Sequence, residues 1–229
     1  MIRRTLSSLF AQKKAPTVIP KARIATQTKM EHSINTTKAI KDAFVSHDII
    51  KDVFPSTGSA FTPQGTLLVD YPTKDTTVAM GNTLPVPTTQ DTPKVYYHPD
   101  PEHPVDTAAR YTLVCTDPDA TSRGNPIMGE YCHWVAKDIQ FDSAEGGFVK
   151  VVHNVMPYIG PGPPKGTGLH RYIFLLYKQD PAVSVSGVAD RIKWGLGTPG
   201  TPVRVGVEKW ATENKLSLLA ANFFFAEQK

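Results

Sequence analysis

Residues 111–134 read YTLVCTDPDATSRGNPIMGEYCHW. A β-branched and aromatic run, 111–116, stops at Asp117-Pro118-Asp119, and a second run from Tyr131 carries His133. Runs of this composition bounded by Pro, Gly, Asp and Asn are strand signals. In an extended chain, residues two apart point to the same side, which predicts that Asp117 and Asp119 face one space. Pro118 fixes its own φ and stiffens the pair. Two carboxylates near a histidine suit three tasks: general acid and base, metal ligation, or holding an imidazole oriented and charged. An ordinary turn is the fourth reading of an isolated Asp-Pro-Asp.

The same pattern continues outward. Runs at 65–71, 77–82, 131–138, 147–155, 170–178 and 216–226 alternate with clusters of Pro, Gly, Asp and Thr. This predicts an all-β sandwich or barrel. The 20 prolines suit connections and edges of such a fold. Residues 84–107, with six prolines, and the Gly/Ser/Pro-rich stretch 180–202 read as loops. Helical periodicity marks 31–53, where Ile40, Ala43, Phe44, His47 and Ile50 recur at three- and four-residue steps before Pro55 and Gly58. A short helix is expected over 205–214. At 229 residues and 40% hydrophobic content, one domain with a substantial core is the expectation. No stretch approaches the roughly 18–20 apolar residues that span a bilayer. Two cysteines, Cys115 and Cys132, make neither a disulfide scaffold nor a zinc clip, and read as small core residues.

The net charge of +4 and the pI near 9.0 invite a nucleic-acid or acidic-membrane partner. Location decides otherwise. Residues 1–29 hold seven basic side chains and no acid, and the first acid is Glu31. Taking those seven from 25 leaves 18 basic against 21 acidic residues, a net charge of −3 for the rest. The basicity belongs to a leader, 1–29, and the domain at 30–229 is mildly acidic and offers nucleic acid no basic aromatic face. Ile2, Leu6, Leu9 and Phe10 cluster within about a quarter turn of a helical wheel. A basic, Ser/Thr-rich, acid-free amphipathic leader has the composition of a mitochondrial transit peptide. A disordered tail, or a working protein that starts at Met30 in the cytoplasm, is the competing expectation.

A second cluster, 158–179, reads YIGPGPPKGTGLHRYIFLLYKQ. Gly160, Gly162, Gly166 and Gly168 bracket Pro161, Pro163, Pro164 and Lys165, and His170, Arg171 and Tyr172 open the next strand. Glycines let backbone N–H groups approach an anion, and prolines hold a loop rigid. It is not a phosphate-binding P-loop, which needs GK[ST] and a helix. Brought to one end of a sandwich, the two clusters would make an anion site in which carboxylates charge the imidazoles and leave a second N–H aimed at a ligand.

On these motifs the sequence resembles the phosphatidylethanolamine-binding protein (Raf kinase inhibitor) family. Tyr111–Asp119 with Ser122 and His133 meets one family block, and Tyr158–Tyr172 meets the other. VAMGNTLP at 78–85, the Lys193–Pro199 stretch and the ending AANFFFAE resemble its fungal, carboxypeptidase Y inhibitor-like branch. The resemblance implies a mainly β fold, a sandwich with a few peripheral helices. It implies a pocket for a phosphate-type anion or phospholipid head group, formed by Asp117, Asp119, His133, Gly160, Gly162, Pro163, His170 and Tyr172. It also implies a monomer without cofactor or metal that inhibits a serine carboxypeptidase or modulates a signalling protein. Two positions depart from the family: Thr121 stands where Pro is usual, and Met128 where animal members carry a pocket tyrosine. A structural role in a mitochondrial assembly such as the ribosome and a hydrolase using the Asp/His pocket are the alternatives. Neither GxSxG nor HExxH is present to mark a hydrolase.

Overall fold

The structure, a computed structural model, describes residues 37–188, 190–192, 194 and 206–229. The leader at 1–29 and most of 193–199 lie outside the described residues.

Helix α1 (37–46) and the short α2 (Ile49–Val53) divide the segment predicted as one helix, because Asp48 takes a left-handed φ of 57° between them. Three strands follow: β1 (Gly65–Tyr71), β2 (Thr76–Val78) and β3 (Asn82–Thr83). The predicted 77–82 strand is broken at Met80 and Gly81, both at positive φ, where Gly81 N–H bonds the Phe223 carbonyl at 2.7 Å. Strand β4 (Lys94–Pro99) lies inside the segment predicted as a loop. Pro93 precedes the strand and Pro99 ends it, while Val95 and Tyr97 alternate into the core. Strands β5 (Tyr111–Asp117) and β6 (Tyr131–Ile139) bear the first motif. The predicted 147–155 strand is two, β7 (Gly147–Phe148) and β8 (His153–Met156), and they join different sheets. Strand β9 (His170–Lys178), helix α3 (Gly206–Glu213) and strand β10 (Ser217–Ala226) complete the chain.

The sandwich packs a four-stranded sheet, β2-β1-β4-β7, on a six-stranded one, β3-β10-β9-β5-β6-β8. One core lies between the sheets, where Leu67, Val69 and Tyr97 meet Leu113, Trp134, Phe174 and Phe224. A second core covers the outer face of the large sheet, where Val114, Ile173, Leu175 and Phe223 meet Phe44, Ile49, Val207 and Trp210 of the helices. The burial of both faces explains why β5, β9 and β10 read as continuous apolar runs whereas β1 alternates. Cys115 points into the first core and Cys132 into the second, so the two thiols lie on opposite faces of the sheet.

Candidate anion pocket

A pocket of about 210 Å³ opens where β5 ends and where β6 and β9 begin. Asp117, the last residue of β5, pairs with Tyr131, the first of β6. The β5–β6 register then skips a residue: Thr116 pairs with Cys132 and Cys115 with Trp134, so His133 is left over as a bulge. A bulge re-aims its extra side chain, and His133 turns into the pocket. His170 and Tyr172, two apart on β9, enter from the other side.

The Gly/Pro loop forms the lip. Gly160, Gly162 and Pro163 line the pocket, as do Ile159 and Pro164. The loop is tied to β6 twice: Ile159 N–H bonds the His133 carbonyl at 3.0 Å, and His133 Nδ1 lies 2.8 Å from the Ile159 carbonyl. At Gly160 a Cβ would lie 2.8 Å from both Gln90 Cα and the Thr89 carbonyl, so only glycine lets the loop pass.

The two imidazoles differ. Because a carbonyl accepts from His133 Nδ1, that nitrogen carries the proton, and Nε2 is left without a partner among the described residues. Burial lowers the His133 pKa, against a smaller opposing pull from Asp117, and favours the neutral ring. His170 Nδ1 donates to Asp117 Oδ2 at 2.9 Å. Its Nε2 lies 3.0 Å from Thr167 Oγ1, whose own proton goes to the Pro164 carbonyl at 2.7 Å. Both His170 nitrogens therefore donate, which defines an imidazolium. Burial opposes that charge, but the hydrogen bond and charge of Asp117, with Asp119 behind it, outweigh burial and raise the His170 pKa. Burial also raises the Tyr172 phenol, which keeps its proton.

Asp119 does not enter the pocket. Its backbone N–H bonds Asp117 Oδ1 at 2.7 Å, an Asx turn that rotates the second carboxylate away from the first. The same-side expectation fails because β5 ends at Asp117 and the extended spacing stops with it. Asp119 instead takes the Arg171 guanidinium in two bonds, Nε–Oδ2 at 2.8 Å and Nη2–Oδ1 at 2.6 Å, with neither residue exposed to solvent. Arg171 also reaches Asp52 Oδ2 at 2.7 Å and the His47 carbonyl at 2.8 Å. The N-terminal helices are thereby pinned to the back of the pocket strand.

Of the eight sequence-predicted residues, the structure brings seven to one pocket and sets Asp119 behind it. Sequence reasoning missed Tyr131, whose ring centroid lies 4.8 Å from that of His133. Its position two residues before a strand histidine was the available signal. Met128 is not among the residues lining the pocket, so the aromatic hydroxyls there belong to Tyr131 and Tyr172. Thr121 follows the turn with its hydroxyl buried and without a partner among the described residues. No group of three or more His, Cys, Asp or Glu among the described residues is arranged to hold a metal ion.

The sequence profile described as phosphatidylethanolamine-binding protein matches residues 74–224, which include both motifs and most of the sandwich. The chain belongs to the phosphatidylethanolamine-binding protein family. Within it, the carboxypeptidase Y inhibitor of Saccharomyces cerevisiae is 38% identical over 227 residues, covering 87% of this chain and all of that protein. The crystal structure of carboxypeptidase Y inhibitor complexed with the cognate proteinase matches with a TM-score of 0.77 at 39% identity, over 87% of this chain and 100% of that one. A phosphatidylethanolamine-binding protein from Plasmodium vivax shares the fold at a TM-score of 0.63 and 23% identity, over 82% of this chain and 97% of that one. The mainly β, two-sheet architecture is thus the family fold. No helix among the described residues is long and apolar enough to cross a membrane.

Proposed function

We propose that this protein is a non-enzymatic inhibitor of a serine carboxypeptidase that also binds the phosphate-type anion of a phospholipid head group in the pocket. One observation carries the inhibitory reading: the chain is similar to carboxypeptidase Y inhibitor along that protein's whole length, at 38% identity. The pocket supports the anion reading, since it offers a fixed imidazolium at His170 and a second imidazole, His133, with a ring nitrogen to spare. A phosphate monoester that keeps one proton would donate it to His133 Nε2, or its charge would draw a proton onto that nitrogen. The non-enzyme reading is supported by the likeness to a protein named as an inhibitor. Nothing in the comparisons favours the ribosomal or hydrolase alternatives.

The test is a titration of carboxypeptidase Y with the full chain while peptide hydrolysis is followed. Stoichiometric loss of activity is expected. Hydrolysis that continues unchanged at excess chain would reject the inhibitory reading.

A further inference from the structure

A second cavity, of about 300 Å³, lies at the other end of β9. Tyr177, in its wall, is seven residues beyond His170, about 23 Å along an extended strand. Phe54, Phe61, Leu216 and Leu218 supply apolar walls, Thr57, Thr62, Gln64 and Thr212 supply polar ones, and two further groups, Glu208 and Tyr177, carry the chemistry.

The first is Glu208, on the first turn of α3 and only 6% exposed. Its Oε1 accepts from Ser56 N–H at 3.0 Å, Thr57 N–H at 2.7 Å and Thr57 Oγ1 at 2.8 Å. Among the described residues its Oε2 has one distant donor, Ser56 N–H at 3.4 Å. The carboxylate is anchored by one oxygen and has acceptor capacity to spare on the other. The second is Tyr177, 2% exposed, whose hydroxyl has no hydrogen-bond partner among the described residues. Burial, and after it the charges of Glu130 and Glu208, raise the pKa of that hydroxyl. A buried hydroxyl without a partner among the described residues and a half-used carboxylate, lining one partly apolar cavity, make an arrangement that calls for a donor.

The carboxylate disfavours an anion, and a single carboxylate, with no cluster of three His, Cys, Asp or Glu among the described residues, disfavours a bare metal ion. The volume stands at the lower end of the roughly 300–1,000 Å³ of small-molecule sites. We propose that this cavity is a second binding site, for a small primary amine on a compact apolar body. Its ammonium donates to Glu208 Oε2 and to the Tyr177 oxygen, and its apolar part fills the space between the Phe and Leu walls. The site is separate from the anion pocket and does not depend on the reading given to that pocket.

The experiment uses the full chain and phenethylamine as probe, with binding read by calorimetry and saturation-transfer NMR in saturating inorganic phosphate. One-to-one saturable binding near millimolar is expected. 2-Phenylethanol, the neutral isostere, should bind about tenfold more weakly, because it loses the charge-assisted bond. Phenylacetate should not bind. Glu208→Gln keeps acceptors for Ser56 and Thr57 and should cost the amine about tenfold in affinity. Tyr177→Phe should weaken the amine a few-fold while raising the melting temperature of the free protein, since an unpaired hydroxyl is removed. Ala211→Phe should fill the chamber and abolish binding, and it serves as the deciding variant if Glu208→Gln fails to fold. Absence of saturable binding at about 10 mM probe, which would mean that the chamber takes water alone, overturns the proposal. So does amine binding that survives Ala211→Phe.

Discussion

Asp117 and Asp119 are the same residue two positions apart, yet they end in opposite environments. Asp117 faces a pocket and spends its charge on one imidazole. Asp119 faces the sealed side and is saturated by Arg171. The alternation extends around the pocket: on β9, His170 and Tyr172 line it while Arg171 is sealed behind, and at the start of β6 Tyr131 lines it while Glu130 is sealed. A sheet end buried on both faces lets adjacent residues serve separate purposes. One side stays poised for a ligand, and the other holds the helices in place.

The largest effects are expected on the sealed side. Asp119→Ala leaves Arg171 buried with only part of its compensation, and should cost about 3–5 kcal/mol of stability in urea unfolding. An Asp119→Ala protein that unfolds with an unchanged midpoint would erase the distinction between the two aspartates.

Glu130 gives the next effect. Its carboxylate accepts from Thr116 Oγ1 at 2.6 Å and from Val207 N–H at 3.0 Å, where α3 begins. Burial nevertheless outweighs these donors and pushes its pKa from 4.5 up to about 8. The folded state then keeps a proton that the unfolded state loses, so stability falls as pH rises from about 4.5 to about 8 and levels off above. Glu130→Gln should flatten that slope, removing a loss on the order of 5 kcal/mol. Unfolding midpoints at several pH values check it, and identical slopes in both proteins would contradict it.

On the pocket side the effects are on ligand binding. Asp117→Asn withdraws the partner that keeps His170 charged, and should weaken phosphoethanolamine binding about tenfold at neutral pH with a modest loss of stability. The raised His170 pKa and the lowered His133 pKa both predict tighter anion binding as pH falls. They act in opposite senses on stability: His170's contribution is full below the ordinary histidine range and fades as pH rises through its raised pKa, whereas His133 costs stability on acidification. The smallest change is expected from Tyr131→Phe, a loss of about two- to fivefold in phosphoethanolamine affinity with no change in stability. Calorimetry measures both variants, and affinity equal to the wild type in Asp117→Asn would remove Asp117 from the site.

Much of this was legible in the sequence because local chemistry agreed with the fold. The β-branched runs at 65–71 and 170–178 became strands with those bounds, since flanking Pro and Gly left the chain no other end point. What stayed hidden depended on long-range pairing. Strand β4 lay among six prolines, and only its pairing with β1 reveals it. The 147–155 run carries β-forming residues throughout, and composition does not say which sheet each half joins. The bulge that aims His133 is a property of the β5–β6 register, and the Asx turn that removes Asp119 is a side-chain bond that spacing alone does not predict. Arg171 was visible beside His170, but its partners Asp52 and Asp119 are 119 and 52 residues away.

The most direct test of the division between open and sealed sides is nitrogen NMR of histidine-labelled protein titrated with phosphoethanolamine near neutral pH. Ring signals of His133 and His170 should move together and saturate, with His133 Nε2 gaining proton character. His47, packed against Phe223 and Phe225 on the sealed face, should stay unmoved. Unshifted His133 and His170 signals at saturating ligand would contradict the anion pocket outright.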